Sequence, residues 1–430
     1  MIDDPELTEL LRRENDHYLN VVDLIAASNA PTEAVRSNAY WGVAQFRSAE
    51  GYPGRRPYAG TGVFDEIERL AVRRACTVFG AEYANVQPLS GSLANLAAFN
   101  AVLRPGETLM SMAMHAGGHL SHGHHKHVSA SLYRPVHYTV DPETGLLDFD
   151  EILAVAKAER PAAIVCGFSA YPRAIDFTRF AEIAGEVNAR LIADISHIAG
   201  LVAAGLHASP GPAGAIVTTS VEKTLRGTRG GLILAPRELA RPIDAAVFPG
   251  LQSSIGLAGL VSLCALLNEA GGAEFRRYQQ RVVHNARALG SRLAAHGIRL
   301  LTGGTDTHLL VLDVAAAGLT GRQAEQRLES IAILANRNLL PYDKNPPFEA
   351  SGLRLGTPTI TARGYQAEDV DDLGDIIAAA LLADGWGQAR REDLRSRVAR
   401  HVSTARHGDL LADLAPAPKS APAPKNGPGQ

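Results

Sequence analysis

At 430 residues, 46% hydrophobic and 20% charged, the chain can bury a large core, one large α/β domain with a smaller one beside it. A formal net charge of −3 removes the electrostatic case for nucleic acid as a partner. Three scattered cysteines without CxxC spacing (Cys76, Cys166, Cys264), an acidic start at Met1-Ile2-Asp3-Asp4 and no membrane-length apolar run point to a soluble cytoplasmic protein.

Residues 1–50 read as a helical arm, with Leu7, Leu10, Leu11 and Tyr18 at helical spacing. From about Gly60 to Arg241, strand-like apolar runs alternate with helical patterns; the candidate strands are 108–112, 136–140, 162–166, 191–195, 215–219 and 231–234. Residues 176–188, between two of them, have the spacing of an amphipathic helix. Such alternation predicts an α/β fold with a mostly parallel sheet flanked by helices, and ligands at the carboxyl ends of its strands. The large domain spans 51–274. Long helical patterns and a strand at 309–314 then form a smaller C-terminal α/β domain over 275–410. Residues 411–430, rich in Pro, Ala, Lys and Gly, cannot bury a core and are expected to be disordered.

Several short stretches carry chemistry. The run Ser220-Val221-Glu222-Lys223-Thr224-Leu225-Arg226-Gly227-Thr228-Arg229-Gly230-Gly231 puts a lysine between a β-rich run and a loop of glycines and arginines. Desolvation and nearby cations lower the pKa of such a lysine and leave an amine able to form a Schiff base; a structural or phosphate-binding lysine fits the same pattern. Ser90-Gly91-Ser92 opens a helical pattern and is either a simple N-cap or a phosphate cradle. Asp194 ends a strand with His197 three residues on, a carboxylate placed to pair with a pyridine nitrogen, a metal or a structural partner. In Gly117-Gly118-His119-Leu120-Ser121-His122-Gly123-His124-His125, zinc with His115 and His127 as further ligands competes with a ring stacked on His119, the other histidines partly solvent-facing. No cysteine or well-spaced acidic partner accompanies them, so no metal is expected. Arg354, in Gly352-Leu353-Arg354-Leu355-Gly356-Thr357-Pro358, offers a fork for an α-carboxylate or a surface ion pair.

Taken in order, these stretches closely resemble the serine hydroxymethyltransferase family, pyridoxal-phosphate enzymes of the aspartate-aminotransferase fold type (fold type I). The resemblance runs from about Leu24 to Gly364. It includes Glu50-Gly51-Tyr52-Pro53-Gly54-Arg55-Arg56, Asn85-Val86-Gln87-Pro88, Gly167-Phe168-Ser169-Ala170-Tyr171, Gly200-Leu201-Val202-Ala203-Ala204-Gly205 and Val247-Phe248-Pro249-Gly250. It implies that Lys223 carries pyridoxal 5'-phosphate, that Asp194 pairs with the ring nitrogen and that His119 stacks on the ring. Ser169 and His197 then lie near the phenolic oxygen, Ser90, Gly91 and Ser92 hold the phosphate, and Ser220 and Arg229 flank the cofactor. By the same resemblance Arg354 holds the substrate carboxylate, Asn338 sits at a folate position, Glu50 is the acid/base glutamate that reaches in from a neighbouring subunit, and Tyr58 is a substrate-contacting tyrosine. A homodimer or homotetramer with shared active sites follows.

The chain also departs from that pattern at the site. Glu222 replaces a histidine before the lysine and joins the candidate catalytic residues. Ala27 and Ser28 replace a carboxylate-contacting serine and a glutamate, Ser48 and Pro57 replace tyrosines, and Gly250-Leu251-Gln252-Ser253-Ser254-Ile255 replaces a glycine-rich loop. Losing Tyr and Glu side chains at Ser48 and Ser28 is expected to enlarge and neutralise the pocket. The expectation is therefore aldol and retro-aldol transfer on β-hydroxy-α-amino acids through a glycine carbanion, as an L-threonine transaldolase of specialised metabolism passing glycine to a new aldehyde. The alternatives are serine hydroxymethyl transfer with tetrahydrofolate, or threonine aldolase.

Overall fold

The computed structural model describes residues 4–39 and 42–405; the tail expected over 411–430 lies outside the described residues. The chain opens with helix α1 (Pro5–Leu19), capped by Asp4, whose Oδ1 accepts the Leu7 amide at 3.0 Å, and with strand β1 (Val22–Asp23). Helices α2 (Glu33–Ala39), α3 (Gly62–Phe79) and α4 (Gly91–Val102) follow. The main sheet comprises β2 (Tyr83–Asn85), β3 (Thr108–Met112), β4 (Arg134–Tyr138), β5 (Ala163–Cys166), β6 (Arg190–Asp194), β7 (Ile216–Ser220) and β8 (Gly231–Ala235). Its order is β2-β8-β7-β6-β5-β3-β4, parallel from β7 to β4 and antiparallel at β8 and β2. Every residue of β5, β7 and β8 is buried, and β5 and β8 accordingly read as continuous apolar runs rather than alternating ones. The expected α/β fold is the observed one, with strand ends displaced by at most two residues. β2, only three residues long, carries too short a pattern to have been read.

The second sheet holds β9 (Arg299–Leu300), β10 (Leu309–Asp313), β12 (Asn336–Asn338) and β13 (Gly352–Gly356) in the antiparallel order β12-β13-β10-β9, while β11 (Ile333–Leu334) stands apart from it. Its core joins Leu310, Leu312, Leu353 and Leu355 to Leu289 and Leu293 of the helix Ala273–Ala295 and to Leu373, Ile376 and Ile377 of the helix Ala367–Leu381.

The stretch expected as a helical arm is helical only in part. α1 buries none of its residues, and Leu7, Leu10 and Leu11 are exposed. Between α1 and α2 the chain runs extended, and β1 pairs in parallel with β11, Val22 opposite Ile333. Val22 and Leu24 thereby enter the second core, and the Gly356 amide donates to the Leu24 carbonyl at 2.7 Å. A buried arginine fastens the turn: Arg363 donates to the carbonyls of Val21 (2.5 Å) and Tyr18 (3.0 Å) and lies over the Tyr18 ring. A two-residue strand paired with a segment so distant in sequence leaves no periodic signal. No helix among the described residues is long and apolar enough to cross a membrane.

Candidate active site

The carboxyl ends of the parallel strands converge. Asp194 ends β6, Ser220 ends β7, Ser169 follows β5, and the His119 loop follows β3. With Lys223, Arg354, Asn338 and the start of α4 they line one cavity of about 500 Å³.

Lys223 lies in a turn held from four directions. The Asn29 side chain donates to the Lys223 carbonyl (2.8 Å), Gln279 donates to the Thr224 carbonyl (2.6 Å), Thr224 Oγ1 donates to the His197 carbonyl (2.8 Å), and the Gly227 amide returns to Val221 (2.7 Å). Burial lowers the Lys223 pKa, Arg354 and Arg229 act in the same sense, and Asp194 and Glu222 oppose them. Burial comes first among these causes, and the balance holds the Lys223 pKa below the ordinary lysine value.

Asp194 is the most constrained group in the site. Its Oδ1 accepts the Ser196 amide (2.9 Å), and its Oδ2 accepts Asn95 Nδ2 (2.8 Å) and His122 Nε2 (3.0 Å). Thr218 in β7 donates to Asn95 Oδ1 at 2.5 Å and sets that amide's orientation. Burial by itself raises the Asp194 pKa, but the His122 hydrogen bond and the charges of His122, His119 and Lys223 outweigh it and hold the carboxyl well below the usual carboxylate range. An ionised carboxylate aimed into the cavity is what a protonated pyridine nitrogen needs. His122 was expected among the partly solvent-facing histidines; it is 1% exposed and completes the Asp194 network. Only the tertiary contact between two loops brings it there.

His119, His122 and Asp194 each place one ligand atom within 4.8 Å of the others, among the described residues the one such trio. Both Asp194 oxygens and His122 Nε2 are already satisfied by one another and by Asn95 and Ser196, and neither His115 nor His127 joins the trio. The His119 imidazole is pulled down to about 4 by burial, and its Nδ1 accepts from Ser121 (2.7 Å to Oγ).

His197 stacks on His308 with ring centroids 5.4 Å apart, and the two rings approach at Nδ1···Nε2 3.3 Å. Burial lowers both imidazoles, His308 to about 3. His308 escaped the sequence reading because its partner lies in another part of the chain. Arg354 projects from β13, donating to the Ser169 carbonyl (2.6 Å) and to Asn336 (3.2 Å); burial brings it down to about 10. Asn338 lines the same wall and bonds the Leu339 carbonyl.

The phosphate end fits as well. Ser90 caps α4 by accepting the Leu93 amide at 3.3 Å, so the N-cap and cradle readings of Ser90-Gly91-Ser92 are compatible. A Cβ on Gly91 would meet Ser220 Cβ at 2.9 Å, so only glycine lets the α4 N-terminus approach the end of β7 this closely. Ser220 Oγ, buried there without a protein partner, is the acceptor or donor a phosphate would satisfy. The residues present therefore fit a phosphorylated pyridine aldehyde.

Other expected residues lie elsewhere. Glu50 and Tyr58 do not line this cavity; Glu50 bridges to Ser254 through its backbone and Tyr58 is 41% exposed. Ser28 and Ser48 do not line it either: Ser28 turns its hydroxyl toward Asp23, and Ser48 is exposed. The expected enlargement through these two positions is therefore absent from this chain's own cavity, where Ala27 is the one departure of that loop in the wall. Glu222 does line the cavity, pairs with Arg229 at 3.6 Å through Oε1, and leaves Oε2 buried without a hydrogen-bond partner.

A family model described as serine hydroxymethyltransferase matches residues 1–377. The chain is 47% identical over 379 residues to the serine hydroxymethyltransferase of Coprothermobacter proteolyticus, covering 88% of this chain and 91% of that one. It is 44% identical over 395 residues to the serine hydroxymethyltransferase of Methanospirillum hungatei, covering 92% and 95%.

Proposed function

The chain belongs to the serine hydroxymethyltransferase family of pyridoxal-phosphate transferases, and from that premise we propose that it exchanges a hydroxymethyl carbon between L-serine and glycine with tetrahydrofolate as carrier. The observation that carries this reading is the convergence of Lys223, Asp194 and Arg354 on one cavity with Asn338 in its wall. The names of its relatives favour the same activity over a transaldolase of specialised metabolism.

Pyridoxal phosphate, when bound, supplies an electron sink for the pair released as a bond at Cα breaks. The chain's residues do the rest. The Lys223 amine would hold the cofactor through its aldehyde carbon. Asp194 would keep a proton on the ring nitrogen. Ser90, Gly91, Ser92 and Ser220 would hold the phosphate at the positive end of α4, with Arg229 and its partner Glu222 beside the lysine. His119 would bind the ring, and His197 and Ser169 would bind its phenolic oxygen. Arg354 takes the amino-acid carboxylate through a charge-assisted fork. Glu50 and Tyr58, absent from this chain's own cavity, act in that of a neighbouring subunit, as acid/base and substrate contact, in a homodimer or homotetramer.

Transfer of glycine from L-threonine to another aldehyde is the second reading, favoured by Ala27 in the cavity wall and by the carboxylate of Glu222 next to Lys223. One experiment separates the two: L-serine and L-threonine are each incubated with and without tetrahydrofolate, and glycine, formaldehyde and acetaldehyde are measured. Folate-dependent glycine formation from L-serine is expected. Folate-independent exchange of aldehydes on L-threonine, without the serine reaction, would replace the first reading by the second.

A further inference from the structure

His197 and His308 form a buried pair whose protons are placed by their surroundings. His308 is fully enclosed and His197 is 6% exposed. Burial, with the charges of Lys223 and Arg354 acting in the same sense, keeps both imidazoles neutral at neutral pH. Each ring therefore carries one proton, on one nitrogen or the other, and its neighbours decide which.

His308 Nε2 lies 3.2 Å from the Ala26 carbonyl oxygen and 3.3 Å from His197 Nδ1. A carbonyl oxygen only accepts, so Nε2 is the protonated nitrogen of His308. His308 Nδ1, buried without a hydrogen-bond partner, is then an unmet acceptor, and no N–H group is orphaned. The same Nε2–H reaches His197 Nδ1, where a second proton would set two N–H groups against each other. Nδ1 of His197 therefore accepts, and the proton of that ring sits on Nε2. Both residues are also tied through their backbones. Thr224 Oγ1 donates to the His197 carbonyl (2.8 Å), and the Thr357 amide donates to the His308 carbonyl (3.1 Å). Ala26, which orients His308, is pressed against Gly356, where an added Cβ would lie 2.4 Å from the Ala26 Cα.

We propose that His308 is a positioning residue that locks His197 in its Nε2–H tautomer, so that His197 brings a hydrogen-bond donor and not a lone pair to the cavity it lines with Ser169 and Asp194. His308 itself does not line that cavity and acts only through His197. A donor there favours the ionised form of a phenolic oxygen, whereas a lone pair would repel it. The inference rests on the proposed place of His197 at the phenolic oxygen of the cofactor.

The ring-nitrogen chemical shifts of isotopically labelled histidine are recorded on the holoenzyme, those of His197 being identified by their loss in His197→Gln. In the unaltered enzyme Nδ1 of His197 is expected at the shift of an unprotonated ring nitrogen and Nε2 at that of an N–H. His308→Leu removes the donor, so both tautomers should be populated and the two shifts should converge. His308→Gln returns an N–H near the place of Nε2 and should restore them. Cofactor affinity, measured by dialysis, should fall about tenfold in His308→Leu, the scale of one hydrogen bond to a charged group, and recover in His308→Gln. A protonated Nδ1 on His197 in the unaltered enzyme overturns the proposal without any variant, as does a His197 tautomer indifferent to His308→Leu. Shifts that behave as described, with cofactor affinity and the cofactor's visible band unchanged, would overturn only the placement of His197 at the phenolic oxygen and leave the lock standing.

Discussion

Two regions carry the family's motifs in this chain, and they are finished to different degrees. At the carboxyl edge of the main sheet, Asp194 accepts three hydrogen bonds, the Lys223 turn is tied by Asn29 and Gln279, and Arg354 reaches across from the second sheet. The segment from Glu50 to Tyr58 is equally rich in motif residues, yet it contributes nothing to that cavity. Arg56, whose side chain is buried, spends its guanidinium on Asp65, Glu68 and backbone carbonyls, so the segment is folded firmly but faces elsewhere. A motif can thus be complete in conformation and still stand outside the cavity formed by its own chain.

The contrast can be broken at either end. Lys223→Ala, in the finished region, has the largest expected effect: activity falls by about 10³-fold or more, and borohydride no longer traps the cofactor on the protein. A trapped adduct that survives the substitution would refute the assignment. Glu50→Gln is expected to cost about 10²-fold, the scale of a lost acid/base group. Mixing it with Lys223→Ala should restore roughly a quarter of the activity, the statistical share of intact sites in mixed dimers. Mixtures as inactive as their parents would mean that Glu50 does not act in a neighbour's site.

Arg354→Ala should remove about 1.5–3 kcal/mol of carboxylate binding and raise the amino-acid KM at least tenfold. An unaltered KM for both L-serine and L-threonine would leave Arg354 a tie between sheets and nothing more.

The stacked histidines give a pH test. In the folded protein His308 titrates near 3 and His119 near 4, against an ordinary value of 6.5. Between those limits the unfolded chain binds more protons than the folded one. Stability is therefore complete above pH 6.5 and falls as the pH drops through that window. The Tm of the wild type should decline from pH 6.5 toward 4, and His308→Gln should flatten the decline; parallel curves would contradict it. The smallest effect belongs to Glu222→His. It trades the Arg229 ion pair for an imidazole beside Lys223 and should change the ratio of aldehyde exchange to glycine release by a few-fold at most. An unchanged ratio would confine Glu222 to setting the geometry of its loop.

Much of this was determined by the sequence alone. Buried parallel strands announce themselves as apolar runs, Ser90 and Asp194 sit at element ends where local pattern puts them, and the order of the motifs identifies the family. These signals are local, carried within one strand, one cap or one turn. Tertiary structure decided the rest. It turned His122 inward onto Asp194, set Asn95 between Thr218 and that carboxylate, and stacked His308 on His197. It also paired β1 with β11 and set the Ser28 hydroxyl beside Asp23. Each of these is a contact between segments far apart in the chain. Burial and hydrogen-bond satisfaction are properties of the space around a side chain, and that space exists only once the sheets are assembled.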